Sequence, residues 1–375
     1  MPVYFDHNAT TPLHPKVLEA MIPFFKAPQN ASSLHYYGRQ AKEALQSARQ
    51  VLADAMQVAP SQVYFTSGGS ESNNLALKGM ARRTQPGEMI ISAIEHDCVR
   101  EAVRTLVTQN WRAKVLPVDG DGVVSLAQLP GLISKETRLA AVMLANNESG
   151  VIQPTAKVRE ALPSGVYLHV DAVQALGKMP FTMASTGAHT LSLSSHKVFG
   201  PQGVGALIVE KAVDIGPMID GGGQERGLRS GTENLAGIVG FAAAVQLIQA
   251  EMTERIRHYE RLQRHLEQAL AALGNVTILG KDAPRLPNTT LIAVPNMDGE
   301  TLSLWLNDAG FCVSSGSACS SGKSRGSHVV EAMQPDLAGN SVRISFGLDN
   351  SVAEIDAFIK ALAALLEKVK PASWW

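Results

Sequence analysis

From residue 62 onward, the hydrophobic positions of the chain form short continuous runs that are separated by segments with helical periodicity. Runs that stay apolar, without alternating polar positions, are typical of strands covered on both faces in a largely parallel sheet. These runs occupy residues 62–65, 88–92, 114–118, 139–144, 166–170, 191–194 and 205–209. Strands that alternate with helices predict an α/β fold, whose functional groups lie just past the carboxyl ends of the strands.

A long helical pattern divides the chain into two parts. Helical periodicity extends over residues 232–273 and changes from an apolar first half to a charged second half, as in a helix that connects two domains. Further strands are then predicted near residues 276–279, 289–294 and 342–346. We therefore predict a large domain over residues 15–251 and a smaller α+β domain formed by residues 1–14 and 252–375.

Composition and charge exclude several classes of protein. A hydrophobic content of 45% and a charged content of 18% exclude a disordered chain, and a net charge of −1 provides no field that attracts nucleic acid or anionic lipid. The three cysteines contain no C-x-x-C pair, which fits a reducing compartment and predicts no metal site. The amino terminus has no signal-peptide pattern, and the longest apolar window, residues 235–245, is shorter than a membrane span. We expect a cytoplasmic protein without nucleic-acid or membrane partners.

Two charged residues follow predicted strands and suggest cofactor chemistry. Lys197 comes directly after an apolar strand and before a Gly-Pro turn, where a lysine can form a Schiff base with a carbonyl cofactor such as pyridoxal phosphate. Asp171 ends the preceding strand, where a carboxylate can pair with a pyridinium nitrogen. The alternatives are a surface lysine at a strand end and an aspartate that caps a helix.

A glycine-rich turn and a histidine add to this pattern. Residues 65–74 describe a strand, a turn with Gly69 and Ser70, and a helix start, which together could bind a phosphate through free N–H groups. His96 follows another apolar strand and could stack on a flat cofactor and move protons. The alternatives are an ordinary strand-to-helix turn and a structural histidine.

The segment of residues 314–327 is rich in serine and glycine around one cysteine, Cys319. Small residues leave its thiol accessible, and Lys323 and Arg325 favour the thiolate, whereas the alternative is a buried inert cysteine. Cys98 and Cys312 lie in more apolar surroundings. A reactive thiol in a long loop indicates a functional segment.

Taken together, these segments resemble the cysteine desulfurases, within the class V aminotransferase family of pyridoxal-phosphate enzymes. The resemblance covers nearly the whole chain, and residues 314–319 are its most diagnostic part. The matching segments are residues 4–12, 30–33, 146–151, 221–227, 229–232 and 314–319. The resemblance implies the aspartate-aminotransferase-like fold type I of pyridoxal-phosphate transferases, with a mostly parallel sheet in the large domain.

The resemblance also implies a role for each candidate residue. Lys197 would be the Schiff-base lysine, Asp171 the pyridinium partner and His96 the ring-stacking acid/base residue. Cys319 would accept the sulfur. Arg343 and Asn147 would bind the substrate, and Arg343 would do so by contacting the substrate carboxylate. The phosphate would be held by Gly69, Ser70, Ser194 and His196, joined by Thr232 of the other subunit of a homodimer. Asn147 and Gln174 are candidate donors to the phenolic oxygen of the cofactor.

By this resemblance we expect conversion of L-cysteine to L-alanine, with a persulfide on Cys319 that supplies a sulfur acceptor or an iron–sulfur scaffold protein. The one metal role considered is that of Cys319 as a transient ligand of an iron–sulfur cluster. The alternatives are a selenocysteine lyase, another class V aminotransferase and a catalytically inactive scaffold protein.

Three positions depart from the family pattern. Gly69-Ser70 stands where many relatives have Ala-Thr, which keeps the hydroxyl. His7 stands where Asn or Tyr is commoner and receives no role. The sequence ends at Trp374-Trp375, without the longer tail by which some relatives engage their scaffold protein, which leaves the choice of partner open.

Overall fold

The computed structural model describes residues 2–316 and 326–369. The strands in these residues are β1 (Val3–Tyr4), β2 (Val63–Thr66), β3 (Glu88–Ser92), β4 (Arg112–Leu116), β5 (Thr137–Ala141), β6 (Tyr167–Asp171), β7 (Thr190–Ser194), β8 (Gly205–Val209), β9 (Thr277–Leu279), β10 (Thr289–Ala293), β11 (Phe311–Cys312), β12 (Ser314–Ser315) and β13 (Ser341–Ser345). The helices are α1 (Pro15–Lys26), α2 (Tyr36–Met56), α3 (Gly69–Ala81), α4 (Asp97–Val107), α5 (Leu129–Leu132), α6 (Thr155–Ala161), α7 (Met183–Thr186), α8 (Leu235–Leu273), α9 (Gly299–Asp308), α10 (His328–Met333) and α11 (Val352–Val369).

The large sheet contains strands β2 to β8 in the order β2-β8-β7-β6-β5-β3-β4. Strands β3 to β7 run parallel, and β8 is antiparallel to both of its neighbours. The predicted α/β fold with a mostly parallel sheet is therefore confirmed. Because parallel strands end at one edge, the residues after β3, β5, β6 and β7 meet there.

Strand β4 differs from the prediction in its position and in its covering. It lies at the edge of the sheet, and Arg112, Ala113 and Val115 are exposed, so it is not covered on both faces. The strand begins two residues before the predicted run because its pairing with β3 extends to Arg112, opposite Glu88. The apolar run marks only the end of the strand that reaches the core.

Helix α8 connects two hydrophobic cores. Its first half, up to Ile248, packs into the core of the large sheet, and its second half, from Tyr259 to Leu270, packs into a separate core. Asn234 caps its start by accepting a hydrogen bond from the N–H of Gly237, and Gly274 ends it in the left-handed conformation. By length and composition α8 alone, among the described residues, could cross a membrane, but 56% of its most apolar window is buried inside the protein.

The second core covers a smaller antiparallel sheet with the order β12-β13-β10-β9. The amino-terminal segment belongs to this part of the molecule, because β1 pairs in parallel with β11 and the Phe5 ring packs against Phe311, Phe346 and Phe358. This agrees with a smaller α+β unit that includes the amino terminus; the exact boundary at residue 251 stays a prediction.

The chain then passes from the small sheet to the edge of the large sheet. The His7 N–H donates to the carbonyl of Ser345 in β13, and the Thr11 N–H donates to the carbonyl of His196 after β7. The segment between His7 and Thr11 therefore lies against both sheets, at the edge where the parallel strands end.

Candidate active site

A cavity of about 420 Å³ lies at this edge, between the large and small sheets. It is lined mainly by polar residues that follow strands of the large sheet, together with Arg343 of β13. The predicted site residues that line it are Gly69, Ser70, His96, Asn147, Asp171, Gln174, Ser194, His196, Lys197 and Arg343. The structure therefore gathers in one cavity ten predicted residues from six separate segments of the sequence.

Lys197 lies in a short helical turn, Ser195–Lys197, that directly follows β7. Its Nζ donates to the carbonyl of Asn8 over 2.6 Å and to the carbonyl of Ala9 over 2.7 Å. The amino-terminal segment thus holds the lysine at the cavity wall. Because Lys197 lines the cavity, its amine can reach a molecule bound there.

Asp171 is oriented by a buried chain of hydrogen bonds. Its Oδ2 accepts from Asn73 Nδ2 over 2.6 Å, and its Oδ1 accepts from the N–H of Val173 over 2.9 Å. Asn73 Oδ1 lies 2.8 Å from Nε2 of His169, whose Nδ1 lies 2.9 Å from Thr190 Oγ1. Residues 172–176 contain no α-helix, so Asp171 does not cap a helix.

The direction of this chain follows from the histidine. Burial lowers the pKa of His169 to about 3, so the ring is neutral near pH 7. Since Asn73 donates its N–H to Asp171, its oxygen must accept the proton on His169 Nε2, and His169 Nδ1 must then accept from Thr190. Every donor points towards Asp171, which accepts a hydrogen bond at each of its two oxygens.

The turn between β2 and α3 forms a cradle for an anion. A Cβ at Gly69 would lie 2.7 Å from Val173 Cγ2, so a larger residue there would require the Val173 side chain to shift. Ser194 Oγ is buried and has no hydrogen-bond partner among the residues that the structure describes. Burial, followed by the charges of Lys197 and Lys178, lowers the pKa of His196 to about 4, so that its ring is a neutral donor near pH 7.

His96 caps helix α4 with its ring. Its Nδ1 accepts the N–H of Cys98 over 3.1 Å and lies 3.0 Å from the sulfur of the same residue. In the neutral ring the proton is therefore on Nε2. The ring therefore caps the helix and also lines the cavity, and its role towards a cofactor stays a prediction.

Arg343 lies in the middle of β13 and is buried. Its Nη2 donates to Asp6 Oδ1 over 2.5 Å and its Nη1 to the carbonyl of Asn147 over 2.9 Å. Its Nε has no partner in the described part of the chain. A guanidinium with an unsatisfied N–H at a cavity wall can bind a carboxylate of a ligand.

The comparisons with known proteins agree with this geometry. The model of the family "Aminotransferase class-V" matches residues 3–358. The chain belongs to the class V aminotransferase family. A cysteine desulfurase IscS of Dictyoglomus turgidum is 38% identical over 99% of this chain and 96% of that protein, and one of Methanosarcina thermophila is 38% identical over 98% and 93%.

Solved structures give the same result for the fold. A NifS-like protein superposes with a TM-score of 0.92 and 38% identity, covering 98% of this chain and all of that chain. A structure entitled "SspA in complex with cysteine" has a TM-score of 0.79 and 31% identity over 92% and 98% of the two chains. The predicted fold type I is therefore confirmed.

The class V aminotransferase family depends on pyridoxal phosphate, and the residues of the cavity fit this cofactor. The buried Ser194 hydroxyl, which has no partner among the described residues, and the tight turn at Gly69 suit its phosphate. Asp171, fixed as an acceptor, suits a pyridinium N–H. Lys197 supplies an amine for the aldehyde carbon.

Among the predicted site residues that the structure describes, Thr232 alone does not line the cavity. Thr232 is exposed, and Cys319 lies outside the described residues. Ser314, on the amino-terminal side of the segment that contains Cys319, does line it. On the carboxyl-terminal side, Ser327 Oγ donates over 2.5 Å to Glu148 Oε2, next to Asn147.

Sequence reasoning missed several residues of the site. Asp6, Asn73 and Asn8 line the cavity, and His169 and Lys178 support it from behind. His169 had a usable signal, because it precedes Asp171 by two residues on a strand and so lies on the same face. Cys98 packs against a hydrophobic cluster and also lines the cavity, and burial, followed by the charge of Asp171, raises the pKa of its thiol to about 12.

Proposed function

We propose that this protein converts L-cysteine to L-alanine with pyridoxal phosphate and transfers the sulfur to Cys319 as a persulfide. The observation that carries the proposal is the single cavity in which Lys197 and the oriented Asp171 face the buried guanidinium of Arg343. The relatives named cysteine desulfurase support it.

The cofactor would be held by its phosphate at Gly69, Ser70, Ser194 and His196, and by its ring nitrogen at Asp171. When bound, pyridoxal phosphate withdraws electrons from the Cα of an amino acid attached to it. Asp171 keeps the ring nitrogen protonated, because its carboxylate is already fixed by Asn73 and by the N–H of Val173.

Substrate binding relies on Arg343. The substrate carboxylate would accept a hydrogen bond from the Nε–H of Arg343, which has no partner in the described residues. The guanidinium would then bind both this carboxylate and Asp6. This places the Cα of the amino acid towards Lys197. The Nζ of Lys197 would take the Cα proton, and Nε2 of His96 would carry a proton that can be donated in the cavity.

The sulfur step needs a thiolate, for which Cys319 is the candidate. Its sulfur attacks the substrate sulfur and forms an S–S bond, while the Cβ–S bond of the substrate breaks. The electron pair of that bond stays with the carbon fragment, which takes up a proton and leaves as alanine. Cys98 does not suit this role, because its raised pKa keeps it a thiol.

The reaction is tested by incubating the cofactor-loaded protein with L-cysteine and a dithiol reductant, and measuring alanine and sulfide. The proposal expects equal amounts of both, with no need for a keto acid. Production of a keto acid from cysteine only when an acceptor keto acid is added would instead indicate an aminotransferase. A far higher rate on selenocysteine, with no turnover of cysteine, would indicate a selenocysteine lyase.

The protein would act as a homodimer in which Thr232 of one subunit reaches the phosphate of the other. In support, Thr232 is exposed and Leu34 and Tyr36 expose 90% and 59% of their surface. Large apolar side chains that are exposed together are typical of an interface. Sedimentation velocity that finds a single species with the mass of one chain would contradict the dimer.

The sulfur would pass to an acceptor or an iron–sulfur scaffold protein in the cytoplasm. In support, the two cysteines in the described residues, Cys98 and Cys312, are free, as in a reducing compartment. Pull-down of radiolabelled sulfur on a second protein from the same cells tests the transfer, and label that stays on this chain would contradict it.

A further inference from the structure

Lys178 is a buried lysine behind the cavity. Its side chain is 4% exposed, and its Nζ donates to Asn8 Oδ1 and to Gln174 Oε1, each over 2.8 Å. None of the carboxylates in the described part of the chain forms an ion pair with it. A buried lysine without a carboxylate is costly, so a specific role for its N–H groups is expected.

The contacts of Lys178 select one orientation for each of two amides. Gln174 Oε1 accepts a hydrogen bond from Lys178, so Gln174 Nε2 points away from the lysine. Gln174 Nε2 donates to the backbone carbonyl of Asn8 over 3.0 Å. The side-chain oxygen of Asn8 accepts from Lys178 and also from Asn288 Nδ2 over 3.1 Å. Asn8 Nδ2 donates to Thr289 Oγ1 over 2.8 Å and to the carbonyl of Asn147 over 3.2 Å. Turning either amide would place an NH₂ group against the lysine.

These amides are in turn connected to Lys197. The backbone carbonyl of Asn8 accepts from both Gln174 Nε2 and Lys197 Nζ, so one oxygen joins these two side chains. Gln174 and Asn8 both line the cavity, whereas Lys178 does not. Lys178 can therefore influence the cofactor only through residues that touch it.

The electrostatic surroundings favour Lys178 as a donor and not as a counter-ion. Burial, followed by the charges of Lys197 and Arg343, lowers the pKa of Lys178 well below its usual value. The two histidines that face it, His7 and His196, have their pKa lowered to about 4, first by burial. In its two side-chain contacts Lys178 therefore acts as a hydrogen-bond donor to two amide oxygens.

We propose that Lys178 is a positioning residue, which fixes the amides of Gln174 and Asn8 so that an N–H of Gln174 stays available to the phenolic oxygen of the cofactor. The inference rests on the proposed function in that it assumes pyridoxal phosphate in the cavity. Hydrogen bonding to that oxygen lowers its affinity for protons. Loss of the donor therefore raises the pH at which the visible absorption band of the bound cofactor titrates.

The test compares Lys178→Met, which keeps the volume and removes the donors, with Lys178→Gln, which keeps two N–H donors without a charge. We expect Lys178→Met to raise the midpoint of the absorbance titration by about one pH unit, equivalent to one hydrogen bond. Its kcat should fall about tenfold while KM stays within about threefold. Lys178→Gln should show less than half of this midpoint shift.

The control is Lys114→Met, since Lys114 binds Glu88 at the far edge of the sheet, and its midpoint should equal that of the wild type. A folded Lys178→Met protein with the wild-type midpoint overturns the inference, as does an equal shift in both Lys178 variants. If Lys178→Met does not fold, a folded Lys178→Gln with a full one-unit shift overturns it. The titration uses no cysteine, so a wild type that forms no alanine refutes the proposed function and leaves this inference standing.

Discussion

Replacement of Arg343 by lysine tests the assignment of the carboxylate site. The guanidinium binds Asp6 and the carbonyl of Asn147 at once, with its Nε left for a ligand. A lysine has a single ammonium group and no planar fork. It cannot donate hydrogen bonds to Asp6, to the carbonyl of Asn147 and to a ligand in the three directions that the guanidinium reaches. Its Nζ can keep the contact with Asp6 or bind the substrate, but it loses at least one charge-assisted hydrogen bond to the substrate.

The expected size of the effect follows from that one bond. A hydrogen bond to a charged group contributes about 1.5–3 kcal/mol, which corresponds to a loss of roughly 10-fold to 150-fold in kcat/KM for L-cysteine. Most of it should appear in KM, because the carboxylate is bound in the ground state as well as in the transition state. Arg343→Ala should lose more, since it also leaves the half-buried Asp6 carboxylate unpaired.

The assay is initial alanine release over a range of cysteine concentrations for the wild type, Arg343→Lys, Arg343→Ala and Asp6→Ala/Arg343→Ala. The affinity for pyridoxal phosphate is the control, because the phosphate cradle at Gly69 and Ser194 does not contact Arg343, and it should be unchanged. Wild-type kcat/KM in Arg343→Lys would refute the carboxylate site and leave Arg343 with a structural role only.

Three further results are expected. Lys197→Ala should abolish alanine formation while the protein still takes up pyridoxal phosphate, measured by dialysis equilibrium, and wild-type turnover would contradict its role. Asp171→Ala should retain the Lys197 linkage seen after borohydride reduction but lose most activity, because the ring nitrogen is no longer held protonated; an unchanged rate would count against it. Burial raises the pKa of Glu148 to about 7, so the folded state binds its proton more tightly than the unfolded chain and loses stability as pH rises from about 4.5 through 7. Glu148→Gln should remove this loss of the free energy of unfolding, which is up to ~3 kcal/mol between pH 5 and pH 8 when measured by denaturant unfolding. If the free energies of unfolding of the two proteins change with pH in parallel, the assignment is contradicted.

The sequence allows the elements to be predicted where burial is uniform. The apolar runs at residues 88–92 and 205–209 coincide with β3 and β8, because every residue of those strands is buried. The edge strand β4 was displaced by two residues, because there backbone pairing continues where apolar side chains do not. Hydrophobicity reports side-chain burial and contains no information on where the hydrogen bonds of a strand end.

The candidate site was predictable where a residue lies at the carboxyl end of a strand. Asp171 is the last residue of β6 and Lys197 lies in the turn after β7, and the sheet brings them together. Asn8 and Lys178 were missed because they meet through the fold, 170 residues apart in the sequence. Asp6 was missed for the same reason, since its partner Arg343 lies 337 residues away. Such contacts depend on the packing of the amino-terminal segment between two sheets, for which the local sequence has no periodic signal.

The central claim is that the sulfur of L-cysteine is transferred to the thiol of Cys319. The most direct measurement is mass spectrometry of peptides from the cofactor-loaded protein after one turnover with ³⁴S-labelled L-cysteine and no reductant. We predict one labelled sulfur on the Cys319 peptide and an equal amount of alanine, with neither product from Cys319→Ala. Label on Cys98 or Cys312, or alanine at the wild-type rate from Cys319→Ala, would contradict the account.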